Sequence, residues 1–216
     1  MDQEPPHLSI YDLIVEPGTV FAWRQGRGEL PLPDDDQAAD RLQHTHQRLK
    51  AAGYGHYEVS SWALPGQASR HNRVYWSGAS WWALGLGATA GVGGERLARP
   101  RTRAAYSAWV QAQAGHQGDG LGAGWPPLED LLLVGLRRRE GVDLAWLQQA
   151  GHRELDRTWL ERVLAGWIAR GVVELSAQRL RLVAPEGFCL SNAVLSDLLA
   201  ALERSEPLAP TGARLG

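Results

Sequence analysis

From His7 to Val15 the chain reads HLSIYDLIV, and its apolar Leu8, Ile10, Leu13 and Val15 predict a mostly buried strand. Glu16 to Thr19 is turn chemistry, and Gln25 to Pro33 is a polar, glycine- and proline-bearing loop. A helix follows over Asp34 to Ala52, with acidic residues at its start and Gly53 placed to stop it. Tyr57 to Ala63 alternates well enough for a second strand with one buried face. Pro65 to Ser80 is aromatic, polar and without a regular period, the pattern of a functional loop. Trp81 to Ala90 is apolar and glycine-rich, a buried strand running into a tight turn, and Arg103 to Ala114 predicts a helix.

The pattern changes beyond a glycine-rich stretch, Gly115 to Gly124, which ends on Trp125, Pro126 and Pro127. Helices are expected over Leu128–Arg138, Leu144–Ala150 and Asp156–Arg170. A hairpin follows from Val172–Leu175 and Arg179–Leu182, and a last helix opens on Pro185 and runs to Leu202. Helices followed by a hairpin are the winged-helix arrangement. The expected organisation is therefore a unit over 1–118, a Gly/Pro linker over 119–127, a winged-helix-like α+β domain over 128–204, and a tail over 205–216.

Composition narrows the function classes. The 216 residues carry 22 basic and 24 acidic side chains, a formal charge of −2, so electrostatics give no case for nucleic acid or an anionic membrane. Even the winged-helix segment, with ten arginines against eleven carboxylates, lacks the basic surplus of a DNA reader. No apolar run is long enough to span a bilayer and no signal peptide opens the chain, which sets the cytosol as the expected compartment. The single cysteine, Cys189, reads as a small packed residue. One thiol cannot hold an iron–sulfur cluster.

Candidate chemistry concentrates in Arg70-His71-Asn72-Arg73-Val74-Tyr75-Trp76. An imidazole beside an amide, a phenol and an indole suits ligation of a haem iron or stacking on a planar ligand, and flanking arginines suit carboxylates. A surface loop whose aromatics cover a sheet edge accounts for the same residues. Gly85 to Ala90 lets a ligand approach the backbone or simply makes a packed turn, and it lacks the third glycine of a dinucleotide fingerprint. His44 and His46 lie two apart on the first helix and read as solvated surface, while His56, His116 and His152 have no partners at ligand spacing.

HLSIYDLIVEPGT, GYGHYEVSSWALPG, RHNRVYW and the closing LVAPEGFCLSN-AVLSDLL resemble the oxygen-independent coproporphyrinogen III oxidase family of radical S-adenosylmethionine (SAM) proteins. The HNxxYW element, His71, Asn72, Tyr75 and Trp76, points to its haem-chaperone branch. The resemblance implies an α/β fold. It is the C-terminal part of a partial (β/α) radical SAM barrel, followed by the winged-helix-like domain, and the chain is expected to begin where the last third of the barrel begins. It further implies haem or porphyrin as ligand, with His71 as the metal-holding residue framed by Tyr75 and Trp76. Leu13, Ile14, Gly87 and Gly91 fall near SAM. After the glycines, where the branch often has histidine and serine following alanine, this chain has Ala88, Thr89 and Ala90. The family's [4Fe–4S] cluster sits in a CxxxCxxC loop that this sequence lacks, so radical chemistry is not expected of the chain alone. The expected function is porphyrin (haem) binding or transfer. The competing readings are the C-terminal piece of a coproporphyrinogen III dehydrogenase, with the N-terminal barrel half encoded separately, and an inactive truncated product. Strand edges at Leu8–Val15 and Trp82–Ala90 are expected to lack partners.

Overall fold

The computed structural model describes residues 4–113, 126–151 and 157–204; the glycine-rich linker, His116, His152 and the 205–216 tail lie outside them. The N-terminal unit holds β1 (His7–Ser9), α1 (Val20–Gly26), α2 (Asp35–Ala51), β2 (Gly55–Glu58), β3 (Ser61–Ala63), α3 (Arg70–Trp76), β4 (Thr89–Val92), β5 (Glu95–Ala98) and α4 (Arg103–Gln113). The second holds α5 (Leu128–Gly135), β6 (Val142–Asp143), α6 (Leu144–Gly151), α7 (Arg157–Val163), α8 (Ala165–Ala169), β7 (Val173–Leu175), β8 (Arg179–Leu182), α9 (Glu186–Cys189) and α10 (Ser191–Arg204).

Helix α2 follows its sequence signals closely. The Asp34 carboxylate accepts from the Gln37 amide at 2.8 Å, Asp35 and Asp36 occupy the first turn, and the chain leaves through Gly53 at φ +87°. The expected strand over Tyr57–Ala63 is instead two. The chain reverses at Val59 and Ser60, so β2 and β3 pair antiparallel with a register shift between His56 and Glu58. Strand β1 joins the other edge of β3, giving the order β1-β3-β2. Trp62, fully buried, Leu49 and Tyr54 form a small core under this sheet, with Leu8, Leu42 and Leu64 against it.

Two sequence expectations fail here for one physical reason. Beyond Ser9 only the bond from the Ile10 amide to the Ser60 carbonyl (2.8 Å) continues the pairing, and the strand stops. Leu13 and Ile14 are 54% and 77% exposed, not buried in a strand. Trp82 to Ala88 is likewise irregular, and Trp82, Leu84 and Leu86 are exposed; the strand begins only at Thr89, where β5 supplies its partner. Apolar residues do not hold an extended backbone without a neighbour for its amides and carbonyls. The sequence also hid α1, started by the Thr19 hydroxyl accepting from the Ala22 amide (3.2 Å), between the turn at Glu16–Thr19 and the loop from Gln25.

The second unit contains the main core. Leu128, Leu131, Leu132 and Gly135 line one face of α5, while Val194, Leu195, Leu198, Ala201 and Leu202 line one face of α10. Both close on Leu147, Leu160, Leu164, Leu180, Leu182 and Phe188. Strand β6, two residues long and missed in the sequence, adds to the hairpin in the antiparallel order β6-β8-β7. The expected helix over 156–170 is broken at Leu164, and the one after Pro185 at Leu190.

A seam joins the units. The Val59 amide donates to the Arg137 carbonyl and the Arg139 amide to the Tyr57 carbonyl, both at 3.0 Å, with Glu58 bridged antiparallel to Arg138 between them. Val59 packs on the main core, and α2 meets α9.

Candidate functional site

The HNxxYW residues stand on a short helix, not in a loop. The Ser69 hydroxyl accepts from the Asn72 amide at 3.2 Å and starts α3. At its end the Ser77 hydroxyl donates to the Val74 carbonyl at 2.8 Å, and Gly78 turns the chain away at φ +71°. Helix α3 packs on α5, and the Arg73 guanidinium donates to Glu140 at 2.9 Å across the junction. Arg73 is thereby engaged, leaving exposed Arg70 as the flanking arginine open to a ligand.

Four residues apart on one face, His71 and Tyr75 meet edge to face at 4.9 Å, and Tyr75 meets Trp81 the same way at 5.0 Å. The His71 imidazole is exposed, and among the described residues neither of its nitrogens has a hydrogen-bond partner. Trp76 turns elsewhere: its indole lies under the Arg137 guanidinium at 4.8 Å, with Nε1 buried and unpartnered. The structure therefore groups His71 with Tyr75 and Trp81, a residue the sequence reading had left in a strand. Trp76 serves the junction with Arg137. Asn72 contributes its amide to the helix start.

Trp81 is held firmly. Its backbone exchanges hydrogen bonds with Gly91 (2.7 and 3.0 Å), its Nε1 donates to the Thr89 carbonyl at 3.0 Å, and Arg96 lies 5.1 Å from its ring. A Cβ at Gly91 would stand 2.5–2.7 Å from three atoms of the indole, so only glycine seats the ring flat on β4. Gly87 occupies a left-handed turn (φ +66°), its amide donating to the Pro100 carbonyl at 3.0 Å. Among the described residues no hydrogen bond or ring contact joins Leu13 or Ile14 to α3.

No thiol set suits a [4Fe–4S] cluster. Cys189 is the single cysteine, burial pushes its thiol pKa up, and the Asp12 and Glu186 carboxylates push the same way, opposite to what a metal thiolate needs. Among the described residues no group of three His, Cys, Asp or Glu side chains is placed to hold a metal. The donor set at α3 does fit haem: one open imidazole with the Tyr75 ring 4.9 Å from it.

A histidine pair escaped sequence reasoning. His46 and His56 bring their Nδ1 atoms to 3.1 Å, and His56 stacks on Trp62 at 4.0 Å and meets the Phe188 edge at 4.7 Å. Far from being solvated, His46 is half-buried and paired. His56 Nε2 lies 3.2 Å from the Val59 carbonyl, which can only accept. Nε2 therefore carries the proton, neutral Nδ1 accepts, and His46 Nδ1 donates. Burial lowers the His56 pKa to about 4 and also lowers that of His46, with Lys50 and Arg139 repelling further charge there. The ten-residue spacing gave no signal; the helix–strand reversal creates the contact.

No family model matches the chain. In fold it is similar to a solved structure of the radical SAM enzyme coproporphyrinogen III oxidase from Escherichia coli, with a TM-score of 0.57, 18% identity, and 90% of this chain and 48% of that one covered. That likeness and the mixed helix–sheet architecture define the class, a partial α/β fold like that enzyme's, with no closed barrel among the described residues. In sequence the chain is 37% identical to a heme chaperone HemW from Synechocystis over 92% of its own length and 52% of the relative's. It is 41% identical to one from Mycobacterium tuberculosis over 89% and 47%, and 35% identical to the mouse mitochondrial radical S-adenosyl methionine domain-containing protein 1 over 92% and 47%. The chain belongs to this radical SAM family, in its haem-chaperone branch, and corresponds to the C-terminal region. It spans about half the length of the curated relatives it matches.

Proposed function

We propose that the chain is the haem-binding portion of a haem chaperone and that His71 ligates the iron. The observation that carries this is the His71 imidazole, exposed and without a hydrogen-bond partner among the described residues, on a capped helix that sets Tyr75 beside it at 4.9 Å. Haem, when bound, supplies the iron that takes an imidazole nitrogen; the chain would supply the His71 ligand and the Tyr75 ring beside it. The relatives named as heme chaperones support the reading. SAM contact at Leu13, Ile14, Gly87 and Gly91 belongs to the same proposal, with the cluster supplied from a barrel half outside this sequence. That half would pair where Ile10 to Ile14 now lie exposed. The cytosol is the compartment that this role and the sequence suggest.

The test is a haem titration followed by absorbance. Saturable one-to-one binding with a shifted Soret band that His71→Ala abolishes is the expected result. An identical spectrum from the variant removes His71 from the site.

A further inference from the structure

A cleft of about 890 Å³ opens beside Trp81, between the β4–β5 hairpin and the second unit. His71, Tyr75 and Trp76 do not line it, so it is not the site described above, although Trp81 belongs to both. Its volume is that of a pocket for a sizeable organic ligand. Two indoles face it, Trp81 and Trp146, and two guanidinium groups, Arg138 and Arg179.

The arginines set the chemistry. Arg138 Nη2 donates to the Gly141 carbonyl at 3.0 Å, but its Nε is buried with no partner. Burial lowers its pKa, and neighbouring Arg73 and Arg179 act in the same direction; only Glu140 opposes them. Glu140 is already taken by Arg73 at 2.9 Å. Arg179 has a long contact to Asp143 (3.9 Å), whose other oxygen accepts from the Trp146 amide at 3.1 Å. Glu95, the remaining acid, is exposed at the rim. A half-buried guanidinium with an unpartnered Nε and no carboxylate of its own suits an anion, and its planar fork matches a carboxylate.

We infer that the cleft receives the carboxylate-bearing edge of a flat ligand, with Arg138 and Arg179 holding the carboxylates and the Trp81 and Trp146 indoles flanking the apolar body. This rests on the haem reading above, and Trp81 links the two places: its ring meets Tyr75, the neighbour of His71, at 5.0 Å, and it also lines the cleft. The propionates are then the carboxylates in the cleft.

The test separates the two claims by using an iron-free ligand. Protoporphyrin IX and its dimethyl ester are titrated by fluorescence into the full chain, into Arg138→Gln and Arg179→Gln, and into His71→Ala; hemin is titrated alongside. Losing a charge-assisted pair weakens protoporphyrin binding about tenfold in Arg138→Gln. The ester is expected to bind that variant and the parent alike, and His71→Ala to change hemin binding only. Should Arg138→Gln fail to fold, Arg179→Gln, altered at an exposed side chain, carries the same comparison. Equal protoporphyrin affinity in the parent and the arginine variants, equal loss of acid and ester, or no protoporphyrin binding by the parent overturns the cleft assignment. A hemin spectrum unchanged by His71→Ala, with the arginine effect intact, overturns the iron assignment and leaves the cleft standing.

Discussion

Acid should loosen this protein chiefly through the neutral histidine His56. His56 is held at a pKa of about 4 against an ordinary 6.5. Above pH 6.5 neither the folded nor the unfolded chain protonates it, and the fold has its full stability. Between pH 6.5 and 4 the unfolded chain takes the proton and the folded chain does not, so stability falls; below 4 both carry it and the loss levels off. A shift of this size corresponds to about 3 kcal/mol across that window. His46, lowered by the same burial and by Lys50 and Arg139, adds a loss of the same sign. The geometry gives the cause. With His56 Nε2 already donating to the Val59 carbonyl, a second proton must sit on Nδ1, facing the His46 Nδ1–H at 3.1 Å. It would also charge a ring sandwiched against Trp62 and Phe188. Urea unfolding between pH 7.5 and 4 is the assay: with a slope of about 2 kcal/mol per molar for a chain of this size, the midpoint should fall by roughly 1.5 M. His56→Phe keeps both ring contacts and cannot titrate, so its midpoint should fall much less. Parallel pH curves for the two proteins would refute the argument.

Two other outcomes follow from the packing. Gly91→Ala places a methyl group 2.5–2.7 Å from the Trp81 ring and should displace the indole, costing about 1–3 kcal/mol and altering near-ultraviolet circular dichroism; an unchanged spectrum would mean that Trp81 does not lie as described. Leu198→Ala empties a fully buried position of the main core and should lower stability by about 2–5 kcal/mol in denaturant unfolding, whereas Leu84→Ala, at 81% exposure, should leave it nearly unchanged.

What the sequence disclosed depended on whether the signal was local. Helix α2 carried its own cap and charge gradient in Asp34 to Asp36. The helices expected over Leu128–Arg138 and from Pro185 to Leu202 likewise came from local pattern, and the structure buries Leu128, Leu131 and Leu132 on the one and Leu195, Leu198 and Leu202 on the other. The winged-helix-like order was legible for the same reason. Strand readings suffered because a strand needs a partner. LSIYDLIV and WWALGLGATA are apolar in the manner of buried strands, yet β1 ends after three residues and Trp82 to Leu86 lies open. At the site, the residue types of HNxxYW named the chemistry but not the geometry: the reading grouped Trp76 with His71, while α3 turns Trp76 toward Arg137 and brings Trp81 in its place. The His46–His56 pair and the cleft arise from tertiary folding, across distances that no spacing rule spans.

The seam at Val59 and Arg139 sets a limit on how this chain can change in length. The two backbone hydrogen bonds fix Tyr57, Glu58 and Val59 opposite Arg137, Arg138 and Arg139 residue by residue. Side chains alternate along such a pairing, so one inserted or deleted residue on either side would reverse every facing. Arg137 would leave the Trp76 indole, and Arg138 would turn out of the cleft. Gly141, left-handed at φ +66° and with no space for a Cβ against the Leu180 carbonyl, closes the same short stretch from the other end. The number of residues between 137 and 141 therefore cannot change without breaking this register, and relatives that keep the junction should carry no gaps in it.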